Sequence, residues 1–213
     1  MDIIFDKLSK IFNKNGYRLY MIGGTSRDYL LSRNIDDYDF VSDATPSEIA
    51  KFLKVDSTFA KYGTVKYFLD DKKIDLVTLR KEGDYKDSRH PSEIIFINDI
   101  NVDYLRRDFT INAIYIDENY KVIDPSKHGV EDLNNKVLRF IGNPLDRVKE
   151  DPIRILRGER FALEYGLKIP DDIKKIFTEN KYLLELLNKD KINEEERKLD
   201  KVKRGLKNER NKL

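Results

Sequence analysis

Tyr17-Arg18-Leu19-Tyr20-Met21-Ile22-Gly23-Gly24-Thr25-Ser26-Arg27-Asp28 is the stretch whose reading decides the fold. Residues 17–22 alternate and are rich in strand formers, the paired glycines interrupt them, and helical spacing follows from Thr25 to Leu31. The segment therefore predicts a strand, a glycine turn and a helix. Glycine accepts positive φ and close approach, and a helix N-terminus carries positive potential, so backbone amides at Gly23 and Gly24, helped by Ser26 or Arg27, can cradle a phosphate. Taken alone, the pattern reads more simply as an ordinary tight strand-to-helix connection.

Asp37-Tyr38-Asp39 follows on a second predicted strand, Asp37 to Val41, where positions i and i+2 project from one face. Two carboxylates held side by side repel each other unless a cation compensates, and a carboxylate pair together with phosphate oxygens suits Mg²⁺. Asp75, on a later predicted strand from Lys73 to Leu79, is the natural third carboxylate. A solvated loop in an Asp-rich region is the plain competitor for the pair alone.

Outward from these motifs, the chain divides by composition. A short helix is expected from Asp6 to Lys14, stopped by Gly16. Further strands are expected at residues 64–69, 93–97, 113–117 and 121–123, with Asp70-Asp71 as a tight turn. After Asn143 two amphipathic stretches, residues 151–165 and 171–187, have helical spacing and are separated by Gly166 and Pro170. The expected architecture is α+β: a head with a mixed β-sheet and flanking helices at residues 1–143, a helical neck at 144–188, and a charged basic stretch at 189–213. That last stretch is either a solvated helix or a frayed tail.

The 213 residues are 39% hydrophobic, with 12 Tyr and 11 Phe, enough to fill a core. The absence of Cys excludes disulfides and thiolate chemistry, and two His are too few for a zinc cluster, so any metal rests mostly on carboxylates. Charge nearly cancels, to +2, although residues 196–213 hold eight Lys or Arg against three acids. No apolar run approaches the roughly 20 residues of a membrane span, and Met1-Asp2-Ile3-Ile4-Phe5 lacks the basic start of a signal peptide. A soluble, cytoplasmic protein is expected.

The order of motifs is recognisable. Gly23-Gly24-x-x-Arg27-Asp28, then Asp37-x-Asp39 and Ala44-Thr45-Pro46, resembles the nucleotidyltransferase signature of bacterial-type tRNA CCA-adding enzymes and poly(A) polymerases. The likeness continues through Gly83-Asp84-Tyr85-x-Asp87-x-Arg89-His90-Pro91, Arg106-Arg107-Asp108-Phe109-Thr110-Ile111-Asn112-Ala113 and Glu150-Asp151-Pro152-Ile153-Arg154-Ile155-Leu156-Arg157. It covers roughly residues 1–188, and five ordered motifs are far more specific than one.

The resemblance implies a polymerase-β-like head. It makes Asp37 and Asp39 the metal-binding catalytic pair and sets Arg107, Asp108 and Asn112 against ribose or triphosphate. With Asp75, the carboxylates would hold Mg²⁺, lower the pKa of an RNA 3′-hydroxyl and neutralise the departing pyrophosphate. The implied partners are CTP, ATP and tRNA. The stretch Lys81 to His90 reads as a mobile polar loop. In the family a flexible loop here resets base choice between C and A addition, and Asp84, Tyr85 and Arg89 are its expected members.

Glu150 to Arg157 is the most informative segment. Pro152 suits a first helical turn, which places Asp151, Arg154 and Arg157 on one face. A carboxylate accepts from the exocyclic amino group of cytosine or adenine, and a guanidinium donates to the ring acceptor beside it. Uracil and guanine would set a carbonyl against the carboxylate. Asp151 with Arg154 can thus select CTP and ATP, while a Glu150–Arg154 pair stabilises the helix by only about 0.2–0.5 kcal/mol. Gly158, where the family has an Ala-like residue, loosens this helix by about 1 kcal/mol.

Three functions share these motifs: CCA addition, the leading expectation; A addition alone; and a nucleotide- or RNA-binding module without full turnover. Family members continue into helical body and tail domains. A fragment, a minimal enzyme, and one subunit of a split enzyme whose partner chain supplies body and tail are all compatible with the sequence.

Overall fold

The structure, a computed structural model, describes residues 2–69, 71–83 and 93–210. Its contacts fall into two compact units. The first holds the described residues up to Gly83 and from Glu93 to Val130, and the second begins at Glu131. That division lies ahead of the boundary at residue 143 expected from composition.

In the first unit, α1 (Ile3–Lys14) is capped by Asp2, whose side chain accepts from the Phe5 amide at 2.9 Å. Its Phe5, Leu8 and Phe12 fall at helical spacing and are fully buried. Three buried residues form β1 (Leu19–Met21), and α2 (Gly23–Leu30) starts at the glycine pair. There follow β2 (Tyr38–Ser42) and α3 (Pro46–Phe52). The latter opens on a capping box in which the Thr45 side chain and Glu48 satisfy each other's backbone amides.

Then come β3 (Thr64–Leu69), β4 (Lys72–Thr78), β5 (Arg80–Glu82), β6 (Ile94–Phe96) and α4 (Ile100–Asp103). The unit ends in two short 3₁₀ turns, Tyr104–Arg106 and Thr110–Asn112, with β7 (Tyr115–Ile116) and β8 (Val122–Ile123). The stretch expected as loop from Lys81 begins instead as strand, because β5 pairs antiparallel with β6.

Among the described residues the main sheet runs β3-β4-β2-β1-β7-β8. Only β2 and β4 pair parallel there, with Asp39 opposite Asp75, and the remaining neighbours are antiparallel. Alternation gives the sheet two faces. Tyr38, Phe40, Val65, Ile74 and Leu76 pack with α1 and α3 in the larger core. Val41 and Val77 lie on the other face with Tyr20, Ile22, Leu79 and Tyr115, and this smaller cluster continues into the polar site.

The second unit is helical. Following α5 (Gly129–Asn134), α6 (Pro144–Glu150) is capped by Asn143, and α7 (Ile153–Tyr165) stops at Gly166, whose φ of +63° suits a left-handed cap. Next, α8 (Asp171–Asn180) gives way to a 3₁₀ stretch at Lys181–Leu186, so the helix expected to Leu187 changes form at Asn180. The charged terminus forms α9 (Lys189–Arg210). Along it Ile192, Glu195, Leu199, Val202 and Leu206 recur at alternating spacings of three and four and are the less exposed positions. Ile192 packs with Ile153, Leu156, Leu184 and Leu187, and buried Glu195 pairs with Arg160 of α7 at 2.5 Å. The expectation of a solvated helix or frayed tail is corrected over this first half: a seam against α7 holds it.

Candidate active site

Asp39 sits on the polar end of the inner sheet face, and the Gly23-Gly24 turn closes over it. Gly23 has φ +60°, and a Cβ added there would meet Asp39 Oδ2 at 3.2 Å, while one at Gly24 would meet it at 3.5 Å. Gly23 is therefore required twice, for backbone conformation and for tight approach to the carboxylate, whereas the contact at Gly24 would be an ordinary one. Burial and then the Asp75 carboxylate push the Asp39 carboxyl above its usual range, against Arg27, a hydrogen bond from the Gly24 amide, and Arg107. Thr25, fully buried, locks this corner. Its hydroxyl accepts the Asp39 amide at 2.7 Å and donates to the Asp37 carbonyl at 3.3 Å.

Two expectations change here. Asp37 precedes β2 and is exposed, so it does not share a strand with Asp39. Among the described residues no three His, Cys, Asp or Glu side chains form a group able to hold an ion by themselves. What forms is the Asp39–Asp75 pair across the parallel ladder, with Asp37 two residues ahead. Asp75 Oδ2 meets the Lys73 ammonium at 3.3 Å, whereas its Oδ1 is buried without a hydrogen-bond partner. An orphaned carboxylate oxygen beside a like-charged neighbour is a costly arrangement for a protein alone. These residues fit a divalent cation with oxygen preference, as Mg²⁺ has.

Ser26 is fully buried and its hydroxyl donates to the Gly23 carbonyl at 3.2 Å, so it braces the turn and does not extend a phosphate cradle. Arg27, also buried, donates to Asn112 Oδ1. Asn112 Nδ2 in turn donates to Asp108 Oδ1 at 2.6 Å, which also takes the Phe109 amide at 2.8 Å. The structure thus joins three expected nucleotide-binding residues in one buried chain.

Arg107 is held from behind. Its Nη2 and Nε reach Asp103 Oδ2 at 2.8 and 3.1 Å, and its guanidinium lies 5.4 Å from the Tyr115 ring centroid. Asp103 is fully buried and also accepts from Tyr115 Oη at 2.7 Å, Arg106 Nε at 2.8 Å and the Arg80 amide at 3.0 Å. Burial alone would raise its carboxyl, but Arg107, Arg106, the Arg80 amide and the Tyr115 hydroxyl outweigh that and hold it well below the usual range. Asp103 and Thr25 were not anticipated. The spacing of Asp103 to Arg106 and Arg107, three and four residues, was a signal for the first, and nothing in local sequence marks the second.

In the second unit Asp151 ends α6 and precedes α7, since Pro152 occupies the cap position and the helix proper starts at Ile153. The expected placement of Asp151 inside a first helical turn shifts to the junction of two helices. Its Oδ1 accepts the Ile153 amide at 3.3 Å. Burial raises its carboxyl, opposed by Arg154, the Ile153 amide, Arg157 and Lys191. Arg154 Nη1 is fixed by Glu150 Oε2 and the Arg147 carbonyl, both at 2.8 Å, and Glu150 also takes Arg147 at 2.6 Å. Arg157 lies over the Phe161 ring at 5.3 Å. Asp84, Tyr85 and Arg89 lie outside the described residues.

A mixed sheet that sets paired glycines against a carboxylate pair has the architecture of a nucleotidyltransferase head. A family model described as the poly A polymerase head domain matches residues 19–139, more than half of the chain, and the chain belongs to that family. Its curated relatives include the CCA-adding enzyme of Staphylococcus epidermidis, 41% identical over 166 residues, which are 78% of this chain and 41% of that protein. Among solved structures, the Bacillus stearothermophilus CCA-adding enzyme in complex with CTP superposes with a TM-score of 0.83 at 29% identity, over 93% of this chain and 49% of that one. The Thermotoga maritima CCA-adding enzyme complexed with tRNA gives 0.72 at 26% identity, over 93% and 48%. The chain spans less than half the length of each of these relatives. No helix among the described residues is long and apolar enough to cross a membrane.

Proposed function

We propose that this chain carries the catalytic head and nucleotide-selecting neck of a tRNA nucleotidyltransferase that adds C and A to tRNA 3′ ends from CTP and ATP, releasing pyrophosphate, in the cytoplasm. The observation that carries the reading is the Asp39–Asp75 pair under the glycine turn, with one buried carboxylate oxygen lacking a partner. The kinship with CCA-adding enzymes supplies the substrate class.

Asp37 and Asp39, with Asp75 beside them, would hold Mg²⁺. When bound, that ion supplies charge neutralisation at the triphosphate and a lowered pKa at the RNA 3′-hydroxyl. The chain's own residues do the rest. Arg107, its guanidinium fixed by Asp103 and Tyr115, clamps phosphate oxygens, and Asp108 with Asn112 accepts and donates at the ribose hydroxyls. Asp151 accepts from the exocyclic amino group of C or A, and Arg154, oriented by Glu150 and the Arg147 carbonyl, donates to the ring acceptor. A uracil or guanine carbonyl facing Asp151 leaves a partly buried carboxylate without its donor, and that loss supplies the discrimination.

The proposed limits of these parts are 1–143 for the head, 144–188 for the neck and 189–213 for the basic stretch. The test is incubation with one labelled nucleotide at a time and a tRNA ending before its CCA. Two C additions followed by one A support the proposal, A additions alone assign A-tailing, and nucleotide binding without transfer reduces the chain to a binding module.

A further inference from the structure

The sheet order places the carboxylate pair between two unlike neighbourhoods. On the β1 and β7 side stand Gly23, Gly24 and Arg27 with Tyr115 and Arg107, the last assigned above to the phosphate oxygens. On the other side, beyond β4, lies β3, and its outward residues face the same way as the carboxylates. The register fixes this: Lys66 is opposite Asp75, Phe68 is opposite Lys73, and the intervening Val65, Tyr67 and Leu69 go to the larger core.

Phe68 is nonetheless 62% exposed, an unusual position for a large apolar ring beside a polar site. Phe59 is 44% exposed, with the Lys66 ammonium 4.6 Å from its ring centroid. Lys73 contributes a second ammonium at Asp75. Exposed aromatic rings interleaved with lysines are the elements from which proteins build single-stranded nucleic-acid sites, the rings stacking on bases and the ammonium groups meeting phosphates.

We infer that Phe68, with Phe59, Lys66 and Lys73, forms the subsite for the unpaired 3′-terminal nucleotides of the acceptor RNA. The inference rests on the transferase reading and names how its second substrate is held. Phe68 stands two residues along and one strand across from Asp75, about 8 Å, and one strand farther from Asp39, about 12 Å, so a base on Phe68 lies about two to four stacked bases from the carboxylates. Nucleotide and RNA then reach Asp39 and Asp75 from opposite sides, as an in-line displacement requires. The charge excludes an acidic protein segment poorly, but the edge itself resists strand addition at this point: the outer backbone groups of Lys66 already exchange hydrogen bonds with Asp56 at 2.8 and 3.0 Å.

The experiment measures binding of the 213-residue chain to two RNA hairpins by fluorescence anisotropy, one blunt and one with a three-nucleotide 3′ overhang, alongside KM for CTP. Phe68→Ala is expected to weaken overhang binding about tenfold, leave blunt-hairpin binding and the KM for CTP within about twofold, and be rescued by Phe68→Trp. Phe68→Leu keeps apolar bulk without the ring and is expected to behave like Phe68→Ala. Unchanged overhang affinity in Phe68→Ala, equal losses on both hairpins, full overhang affinity in Phe68→Leu, or no RNA binding by the unsubstituted chain would each overturn the subsite. If the ring-dependent overhang binding is found but no nucleotide is transferred, the subsite stands and the transferase reading falls. Transfer that is indifferent to Phe68 gives the reverse.

Discussion

Asp39 and Asp75 repel each other inside a partly buried corner, so removing one charge is expected to relieve the fold while disabling the proposed site. Asp39→Asn keeps an oxygen for the Gly24 amide and is expected to abolish transfer at every Mg²⁺ concentration while raising Tm, by roughly 2–4 °C for each kcal/mol relieved. A variant with wild-type turnover, or one less stable than the parent, contradicts this account. Asp103 shows the opposite sign. Its folded value lies below the unfolded one of about 3.9, so it contributes stability above about pH 4 that is lost as pH falls below it. Asp103→Asn is expected to cost about 3 kcal/mol at neutral pH and to flatten the acid limb of the stability profile. It is also expected to raise KM for both nucleotides by loosening Arg107; urea titrations across pH 2–7 and steady-state kinetics check the two parts. Asp151→Ala is expected to erode discrimination against UTP and GTP more than it weakens triphosphate binding. Equal losses for all four nucleotides would leave Asp151 as a cap for α7. Asp39 was legible because an acid among strand formers stands out, although its partner proved to be Asp75 across the ladder and not Asp37 along the chain; Asp103 was not, because its role appears only when α4, β5 and β7 converge on it.

The elements read from periodicity held best where a core face enforces it. The strand expected at residues 64–69 is β3 residue for residue, since its inward positions must meet the larger core. The helix α3 escaped notice although Thr45, Pro46 and Glu48 spell its start: at seven residues it is too short for apolar periodicity to show. Terminal charge concealed α9 in another way, because the stripe from Ile192 to Leu206 includes Glu195, apolar in neither composition nor hydropathy, which is neutralised by Arg160. Charge on the exposed side of this helix is where RNA affinity is expected. Reversing Lys201, Lys203 and Arg204, all exposed, to Glu leaves the stripe intact and is expected to lower the salt slope of tRNA binding by about two to three while KM for ATP stays unchanged. An unaltered slope would make this side a solvated surface only. Cutting the chain after Asn188 is expected to unfold the second unit, because it uncovers Leu156, Leu184 and Leu187.

At the scale of the molecule, the first unit supplies the groups proposed for catalysis and the second those proposed for base choice. Sequence order conveyed that division of labour, since the motifs arrive in blocks along the chain. The parallel seam between β2 and β4 governs something else, the route by which the chain assembles. Hairpins such as β3–β4 close early because their ends are near in sequence, whereas Asp39 and Asp75 meet only after the intervening residues 43–71 have been laid down. Two like charges then approach during a late, long-range step of sheet closure, and their repulsion adds to its barrier. Refolding of the Asp39→Asn chain is therefore expected to outpace the parent in dilute salt, with the gap narrowing as ionic strength rises. The seam proposed to carry the chemistry is thus also the one expected to slow the chain's assembly.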